Sequence, residues 1–172
     1  FKSLPGPVWI TGAYYRPDAL ATEPRETLYE DLEMRLSTTQ KTPSTMSRTF
    51  AQNIGSDETV VFATDCHIST SGRDSLEDFD YAFSFERPFF YDPSKGNLLV
   101  DWTCHGGFHG DAPGYDGQSF ESDTQFAGLE AVDPDATTAG NTWDNWYNIV
   151  RFTYQPAYYS ELAGDLNGDG QM

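Results

Sequence analysis

The sequence has few positive charges and no long apolar segment, and each shortage excludes a class of partner. Lys and Arg number 10 against 27 Asp and Glu, which gives a net charge of -17. Because a surface of this sign repels phosphate, we expect neither nucleic acid nor an anionic membrane surface as a partner. No apolar run approaches the roughly 18 residues that a membrane-spanning helix requires, which predicts no membrane insertion.

The chain also lacks the motifs of the common nucleophilic enzymes. It contains no G-x-S-x-G and no Cys-His signature. A pair of acids for glycoside hydrolysis could be drawn from several glutamates, but a chain with 27 acidic residues offers such candidates by chance. These glutamates are Glu30, Glu33, Glu86, Glu121 and Glu130. We therefore predict that the chain is not an enzyme.

Cysteine and histidine are scarce, with two and three residues respectively. In an exported protein, Cys66 and Cys104 predict one disulfide, worth roughly 3–4 kcal/mol if it is unstrained. The alternative is a pair of buried free thiols. The disulfide would bring together His67 and His105, which directly follow the two cysteines. With His109 or Asp111 they could bind a transition metal, although the spacing matches no established zinc motif and solvated loop histidines are the alternative.

Aromatic residues, by contrast, are abundant: 12 Phe, 10 Tyr and 4 Trp stand in short segments divided by Gly and Pro. The predicted strands cover 8–15, 28–37, 59–63, 79–86, 98–103 and 148–154, with one or two short strands in 120–132. Residues 68–78 and 106–117 are predicted to be a turn region and a long loop. The clearest alternation is in 79–86, where aromatic and mostly polar residues take turns. Seven to nine strands predict an all-β, antiparallel two-sheet sandwich of jelly-roll type over residues 1–160.

The segment 28–37 is ambiguous, because three of its leucines also share a helical face. Period two fits more positions and predicts a strand. Leu28, Leu32, Met34 and Leu36 then lie on one face, with Glu30 as an exception, and Tyr29 lies on the other face.

Residues 161–172 carry the most specific motif. Asp165, Asn167 and Asp169 alternate and are followed by a glycine, which is the first half of a calcium loop of EF-hand type. Gln171 would add a backbone carbonyl. The motif resembles the opening of a dockerin-type repeat and predicts calcium as a cofactor of a longer parent chain, and we expect this sequence to be a piece of that chain. The alternative is an acidic turn that begins a linker.

Four further segments carry a family resemblance. They are ITGAYYRPD at 10–18, LSTT at 36–39, TFAQNIGSD at 49–57 and PFFYDPSKGNLLVD at 88–101. Together they resemble an uncharacterised group of secreted bacterial proteins that carry a PEP-CTERM sorting signal or a dockerin-like tail. The resemblance implies an extracellular or cell-surface location and a β-sandwich fold, and it implies no enzymatic activity.

Two functions follow as hypotheses. The first is a structural module that associates with itself in a surface layer or filament, by exchange of a strand or of the arm formed by residues 1–8. The second is a carbohydrate-binding module, with Trp143, Trp146 and Tyr147 as a platform for a polysaccharide. The alternative for these three residues is core packing. An exposed row of aromatic residues on one sheet face would favour the second hypothesis, while the sequence alone favours the first.

Overall fold

The computed structural model describes residues 4, 6–18, 23–72, 79–111, 114–119, 127–143 and 146–157. These residues form ten strands and two short 3-10 turns, Pro43–Thr45 and Phe50–Gln52, and they contain no α-helix. The strands are β1 (Val8–Tyr15), β2 (Arg25–Thr39), β3 (Thr59–Thr70), β4 (Tyr81–Tyr91), β5 (Asn97–Gly110), β6 (Gly117–Ser119), β7 (Gly128–Glu130), β8 (Asn141–Trp143), β9 (Trp146–Asn148) and β10 (Val150–Pro156). None of the described helical turns is long or apolar enough to span a bilayer.

All the strand pairs are antiparallel, so the all-β prediction is confirmed. The first sheet has the order β10–β1–β4 and the second has the order β3–β2–β5. β6 pairs with β9, and β7 pairs with β8, in two short ribbons. The predicted jelly-roll topology is not confirmed, because the described sheets are small, with at most three strands each.

One hydrophobic core is shared by the two sheets. The ring of Phe83 on β4 lies 6.1 Å from the ring of Phe62 on β3 and 5.9 Å from that of Trp102 on β5. Tyr15 on β1 stacks on Trp102 at 5.6 Å. Burial of each such aliphatic or aromatic side chain contributes about 1.5–3 kcal/mol. The buried members are Val8, Ile10, Ala13, Tyr15, Tyr29, Leu32, Met34, Leu36, Val61, Phe62, Cys66, Ile68, Tyr81, Phe83, Phe89 and Tyr91.

Tyrosine hydroxyls make the core partly polar. The hydroxyls of Tyr29 and Tyr115 lie 2.6 Å apart and share a hydrogen bond. Burial raises the pKa of Tyr29 to about 12 and outweighs the opposing effect of that hydrogen bond. The hydroxyl of Tyr81 is buried without a hydrogen-bond partner among the described residues. The interior therefore favours neutral phenols, since the ionised form would lose its hydration.

A bulge in the middle of β2 determines which of its residues face the core. Asp31 has φ of 52°, and the register shifts between Tyr29 and Leu32 against β3. The backbone N–H of Asp31 donates to Asp65 Oδ1 at 2.9 Å, which holds the extra residue in place. An extra residue inverts the alternation beyond it. The prediction for Tyr29 is therefore wrong, since this side chain is buried, and Leu28 is only half-buried.

Three strands, β3, β4 and β5, continue at least five residues beyond their predicted C-terminal ends. β3 continues to Thr70 through part of the predicted turn region, and β5 continues to Gly110 through part of the predicted loop. β4 continues past Pro88, which was expected to interrupt it. The register of β4 against β1 shifts between Ser84 and Phe89, so Pro88 lies in an irregular segment where its missing N–H breaks no ladder hydrogen bond.

The predicted disulfide is wrong, because Cys66 and Cys104 are both free. Cys66 on β3 pairs with Tyr29, and Cys104 on β5 pairs with Leu32, on opposite sides of β2. Strands two positions apart are separated by roughly 9–10 Å, whereas a disulfide needs Cα atoms within about 7 Å. Cys104 Sγ instead donates to the Gly107 carbonyl at 2.8 Å. Burial raises the pKa of Cys66 to about 11, so its thiol stays protonated.

Candidate functional site

The first sheet carries aromatic side chains on its outer face, which is the face turned away from the core. Val8 and Ile10 point into the core, so Trp9 between them points outward. Trp9 is in register with Phe90 on β4, and their rings meet edge to face with centroids 5.2 Å apart. Phe90 is 43% exposed. Trp9 and Phe90 together form an aromatic pair at one end of the outer face.

Beyond this pair along β1, the outer face is formed by small side chains with hydroxyl groups. We call this region the step. Gly12 is in register with Thr153 on β10 and with Ser84 on β4, and both of these hydroxyl side chains are exposed. Thr11 Oγ1 donates to Thr153 Oγ1 at 3.0 Å. A Cβ on Gly12 would lie 3.0 Å from Thr153 Oγ1 and 3.1 Å from the carbonyl oxygen of Phe83. Gly12 itself is buried, and Thr153 Oγ1 and a carbon of the Tyr14 ring lie 3.0 and 3.5 Å from the position of its Cβ, so the exposed surface here is formed by Thr153 and Ser84.

Tyr14 lies beyond the step and also points outward, because Ala13 and Tyr15 face the core. The guanidinium of Arg151 lies 5.4 Å from the Tyr14 ring and 4.6 Å from the Phe79 ring. Cation–π attraction holds Arg151 against both rings and fixes this end of the outer face.

A cleft of about 300 Å³ opens beside Phe90 at the other end. Its walls come from the end of β2, from the turn before β3 and from the turn between β4 and β5. Its lining is polar apart from one aromatic ring, and consists of Thr38, Gln40, Ser56, Asp57, Phe90, Asp92 and Lys95.

Close backbone contacts join the three walls of the cleft. The Gly55 N–H donates to Ser37 Oγ at 3.1 Å, and the Thr38 N–H donates to Asp57 Oδ1 at 2.7 Å. A Cβ on Gly55 would lie 2.7 Å from the carbonyl carbon of Thr38 and still nearer to its oxygen. The Gln40 side-chain amide donates to the Lys95 carbonyl at 2.5 Å. Three of the segments that carry the family resemblance, 36–39, 49–57 and 88–101, thus meet at this cleft.

The two carboxylates of the cleft are fixed and keep acceptor capacity. Ser94 donates its N–H and its hydroxyl to Asp92 Oδ1 at 2.9 and 2.7 Å, and these hydrogen bonds lower the pKa of Asp92. Asp57 Oδ1 accepts from Thr38. Among the described residues, Oδ2 of either carboxylate accepts no hydrogen bond, so it can accept one from a ligand.

The residues predicted as a glycan platform belong to two different ribbons. Trp143 lies on β8 opposite Gly128, whereas Trp146 and Tyr147 lie on β9 opposite Ser119 and Gln118. The side chains of these three residues are outside the described structure.

The predicted calcium ligands Asp165, Asn167, Asp169 and Gln171 lie outside the described residues, so the calcium site stays a prediction. The same holds for most of the N-terminal arm, of which the structure describes Leu4, Gly6, Pro7 and Val8.

The structure does not bring the three histidines together. His67 on β3 and His109 on β5 are both in register with Leu28, on opposite sides of β2. Each lies near a glutamate of β2: His109 Nε2 is 3.2 Å from Glu30 Oε2, and His67 Nε2 is 3.9 Å from a Glu26 oxygen. Within the part of the chain that the structure describes, no three His, Cys, Asp or Glu side chains are placed to hold a metal ion.

The outer face was missed by the sequence analysis. The strand at 8–15 was recognised from the sequence. Large apolar residues occur at both odd and even positions in VWITGAYY, so the pattern does not distinguish the outer face from the inner one. The pairing of Trp9 with Phe90 depends on the register between β1 and β4, which local sequence does not encode.

Comparisons of the chain with protein-family models, with curated proteins and with solved structures found no match. The chemistry of the outer face and the cleft is therefore the basis for a functional proposal.

Proposed function

We propose that this chain is a non-catalytic extracellular module, built as a two-sheet sandwich, that binds an uncharged polysaccharide on the outer face of the first sheet. The observation that carries the proposal is the exposed ring of Phe90, which packs against Trp9 and borders a polar cleft. A pyranose ring presents C–H groups to an aromatic face and hydroxyls to its edges. An aromatic pair complements the C–H face of such a ring, and fixed polar groups beside the pair complement its hydroxyls.

The polar groups of the cleft match the hydroxyls of a sugar. Asp57 Oδ2 and Asp92 Oδ2 can accept hydrogen bonds, while the Lys95 ammonium and the Ser56 hydroxyl can donate them. Two carboxylates against one ammonium, within a chain of net charge -17, oppose the binding of uronic acids and sulfated glycans. The charge therefore favours an uncharged polymer.

The ionisation of Asp92 in the cleft supports a binding role without catalysis. A general acid for glycoside hydrolysis needs a raised pKa, so that it carries a proton near neutral pH. The pKa of Asp92 is instead lowered by the hydrogen bonds from Ser94, so this carboxylate stays ionised and acts as an acceptor.

Affinity electrophoresis tests the proposal. Native gels are cast with hydroxyethyl cellulose, xylan, galactomannan or glycol chitin as uncharged polymers, and with carboxymethyl cellulose as the anionic one. We expect at least one uncharged polymer to retard the protein and carboxymethyl cellulose to have no effect. Phe90→Ala should abolish the retardation. Phe108→Ala is the matched control, because Phe108 is 53% exposed but lies on β5 of the second sheet. Migration unaffected by every polymer, or retardation that survives Phe90→Ala, would refute the proposal.

A second candidate function, self-association, is favoured by the edges of the sheets. Among the described strands, β3, β5, β4 and β10 each have a neighbour on one side only. Each of these four strands carries an exposed large apolar residue, namely Val60, Phe108, Phe90 and Tyr154. Unpaired edges with apolar side chains are suited to strand addition between copies.

Electron microscopy with and without a calcium chelator, together with light scattering over a concentration series, tests self-association. Ordered filaments that are lost in the double variant Val60→Lys/Phe108→Lys would support it. Dispersed monomers at every concentration would exclude it and leave polysaccharide binding as the remaining candidate.

A further inference from the structure

We infer that the ligand is a single extended glycan chain that lies along β1, from the Trp9–Phe90 pair to Tyr14, with one end at the cleft. This inference rests on the proposed function and specifies the shape of its ligand. It needs a second aromatic contact at a defined distance and an unobstructed path to it.

The distance between the two aromatic positions is set by the register with β10. Trp9 is opposite Gln155 and Tyr14 is opposite Arg151, so the two positions are four residues apart along β10. At about 3.3 Å per residue the separation is roughly 13 Å, which exceeds the length of a disaccharide. A disaccharide can therefore contact the Trp9–Phe90 pair or Tyr14, but not both.

The path between these positions is low and polar. Gly12 is buried, and the small, exposed hydroxyl side chains of Thr153 and Ser84, which are in register with it, form the surface of the path. Sugars in the middle of a chain would thus lie over Thr153 and Ser84 and bond their hydroxyls. Tyr14 is held by Arg151, which limits the freedom that its ring would lose on binding.

The cleft defines one end of the path. It opens beside Phe90, on the side away from Tyr14, and its walls rise from the turns beyond the sheet. The other end, at Tyr14, has an exposed edge strand on one side, because β10 has no further neighbour among the described strands. A chain that finishes in the cleft therefore extends along β1 toward the Tyr14 end.

The test is isothermal titration calorimetry of the whole chain with the disaccharide and the hexasaccharide of the cello, xylo, manno and chito series. For the series that binds, we expect the hexasaccharide to bind roughly tenfold more tightly than the disaccharide, as one further aromatic contact implies. Tyr14→Ala should reduce the affinity for the hexasaccharide to that for the disaccharide. Thr153→Arg, which places a large side chain on the path and removes the hydrogen bond from Thr11, should also lower the affinity for the hexasaccharide to that for the disaccharide, and covers the case in which Tyr14→Ala does not fold.

Each other outcome refutes a defined statement. Equal affinity for both lengths, or a loss in Tyr14→Ala that is the same for both lengths, would overturn the extended path and leave the proposed function intact. Absence of binding to every oligosaccharide, together with unaffected migration in every gel, would overturn the proposed function and this inference with it.

Discussion

Replacement of Gly55 by alanine should strongly destabilise the fold, because this residue holds two walls of the cleft together. The added Cβ would overlap the carbonyl carbon and oxygen of Thr38, which belong to the backbone, so no side-chain rotation can relieve that overlap; it would also lie 2.9 Å from Asp57 Oδ1. If the two walls move apart to relieve the overlap, two hydrogen bonds between them are weakened, from Gly55 to Ser37 and from Thr38 to Asp57. Each contributes about 1 kcal/mol and overpacking costs about 1–3 kcal/mol, so we expect a loss of about 3–5 kcal/mol in the free energy of unfolding.

Urea denaturation followed by tryptophan fluorescence measures this loss. Gly6→Ala is the matched control, because no heavy atom of the described residues lies within 4 Å of its added Cβ. The control should change the free energy of unfolding by less than about 0.5 kcal/mol. A Gly55→Ala variant within about 1 kcal/mol of the parent would show that the two walls are not in close contact, and would remove the structural basis for the cleft.

Three further predictions concern the core. Phe83→Ala should lower the free energy of unfolding by about 3–5 kcal/mol in the same urea assay, because its ring is fully buried between the two sheets, and a loss below about 1 kcal/mol would contradict the shared core. Dithiothreitol should leave the urea midpoint unchanged, because Cys66 and Cys104 are free, and both thiols should react with a thiol reagent in urea without prior reduction. Stability should fall as the pH rises from about 10 to 12, since unfolded Tyr29 ionises near pH 10 while the folded residue, with a pKa of about 12, keeps its proton. The difference of two units between the folded and unfolded pKa values of Tyr29 corresponds to a loss of about 3 kcal/mol in the free energy of unfolding. An unchanged urea midpoint between pH 9 and 12 would contradict this prediction.

The sequence predicted the strands well where a single alternation of apolar and polar residues continues along the strand. The bounds of β1 agree with the predicted 8–15, and Tyr81 and Phe83 share the buried face of β4 as the alternation indicated. The prediction failed at irregularities. The bulge at Asp31 inverts the faces of the residues before it, and the contact with Asp65 that holds Asp31 there is a tertiary one.

Glycine misled the prediction of β5, because glycine is usually typical of loops. Gly106 instead lies where a Cβ would meet the side chain and backbone of Glu30, so the strand needs glycine in order to approach β2. Composition alone does not distinguish a loop glycine from one at a close strand contact.

The candidate site could not be derived from local patterns, because its members are far apart in the chain. Thr38, Asp57 and Asp92 come from three segments that meet only in the folded protein. The family resemblance had marked those segments, but nothing in their spacing indicated that they are neighbours. The aromatic part of the site depends on strand register in the same way.

The pairing of β1 with β10 determines how the protein responds to mechanical tension. Val8 is opposite Pro156, so the start of β1 and the end of β10 lie side by side at the same end of the first sheet. A pull through the chain before Val8 and after Pro156 acts across the strands, and the hydrogen bonds between them break one at a time, as in a zipper. Such a pair yields at a lower force than strands that slide along each other, where all the bonds resist together. A module tethered through both of its ends would therefore extend by release of β10 while the second sheet is still intact.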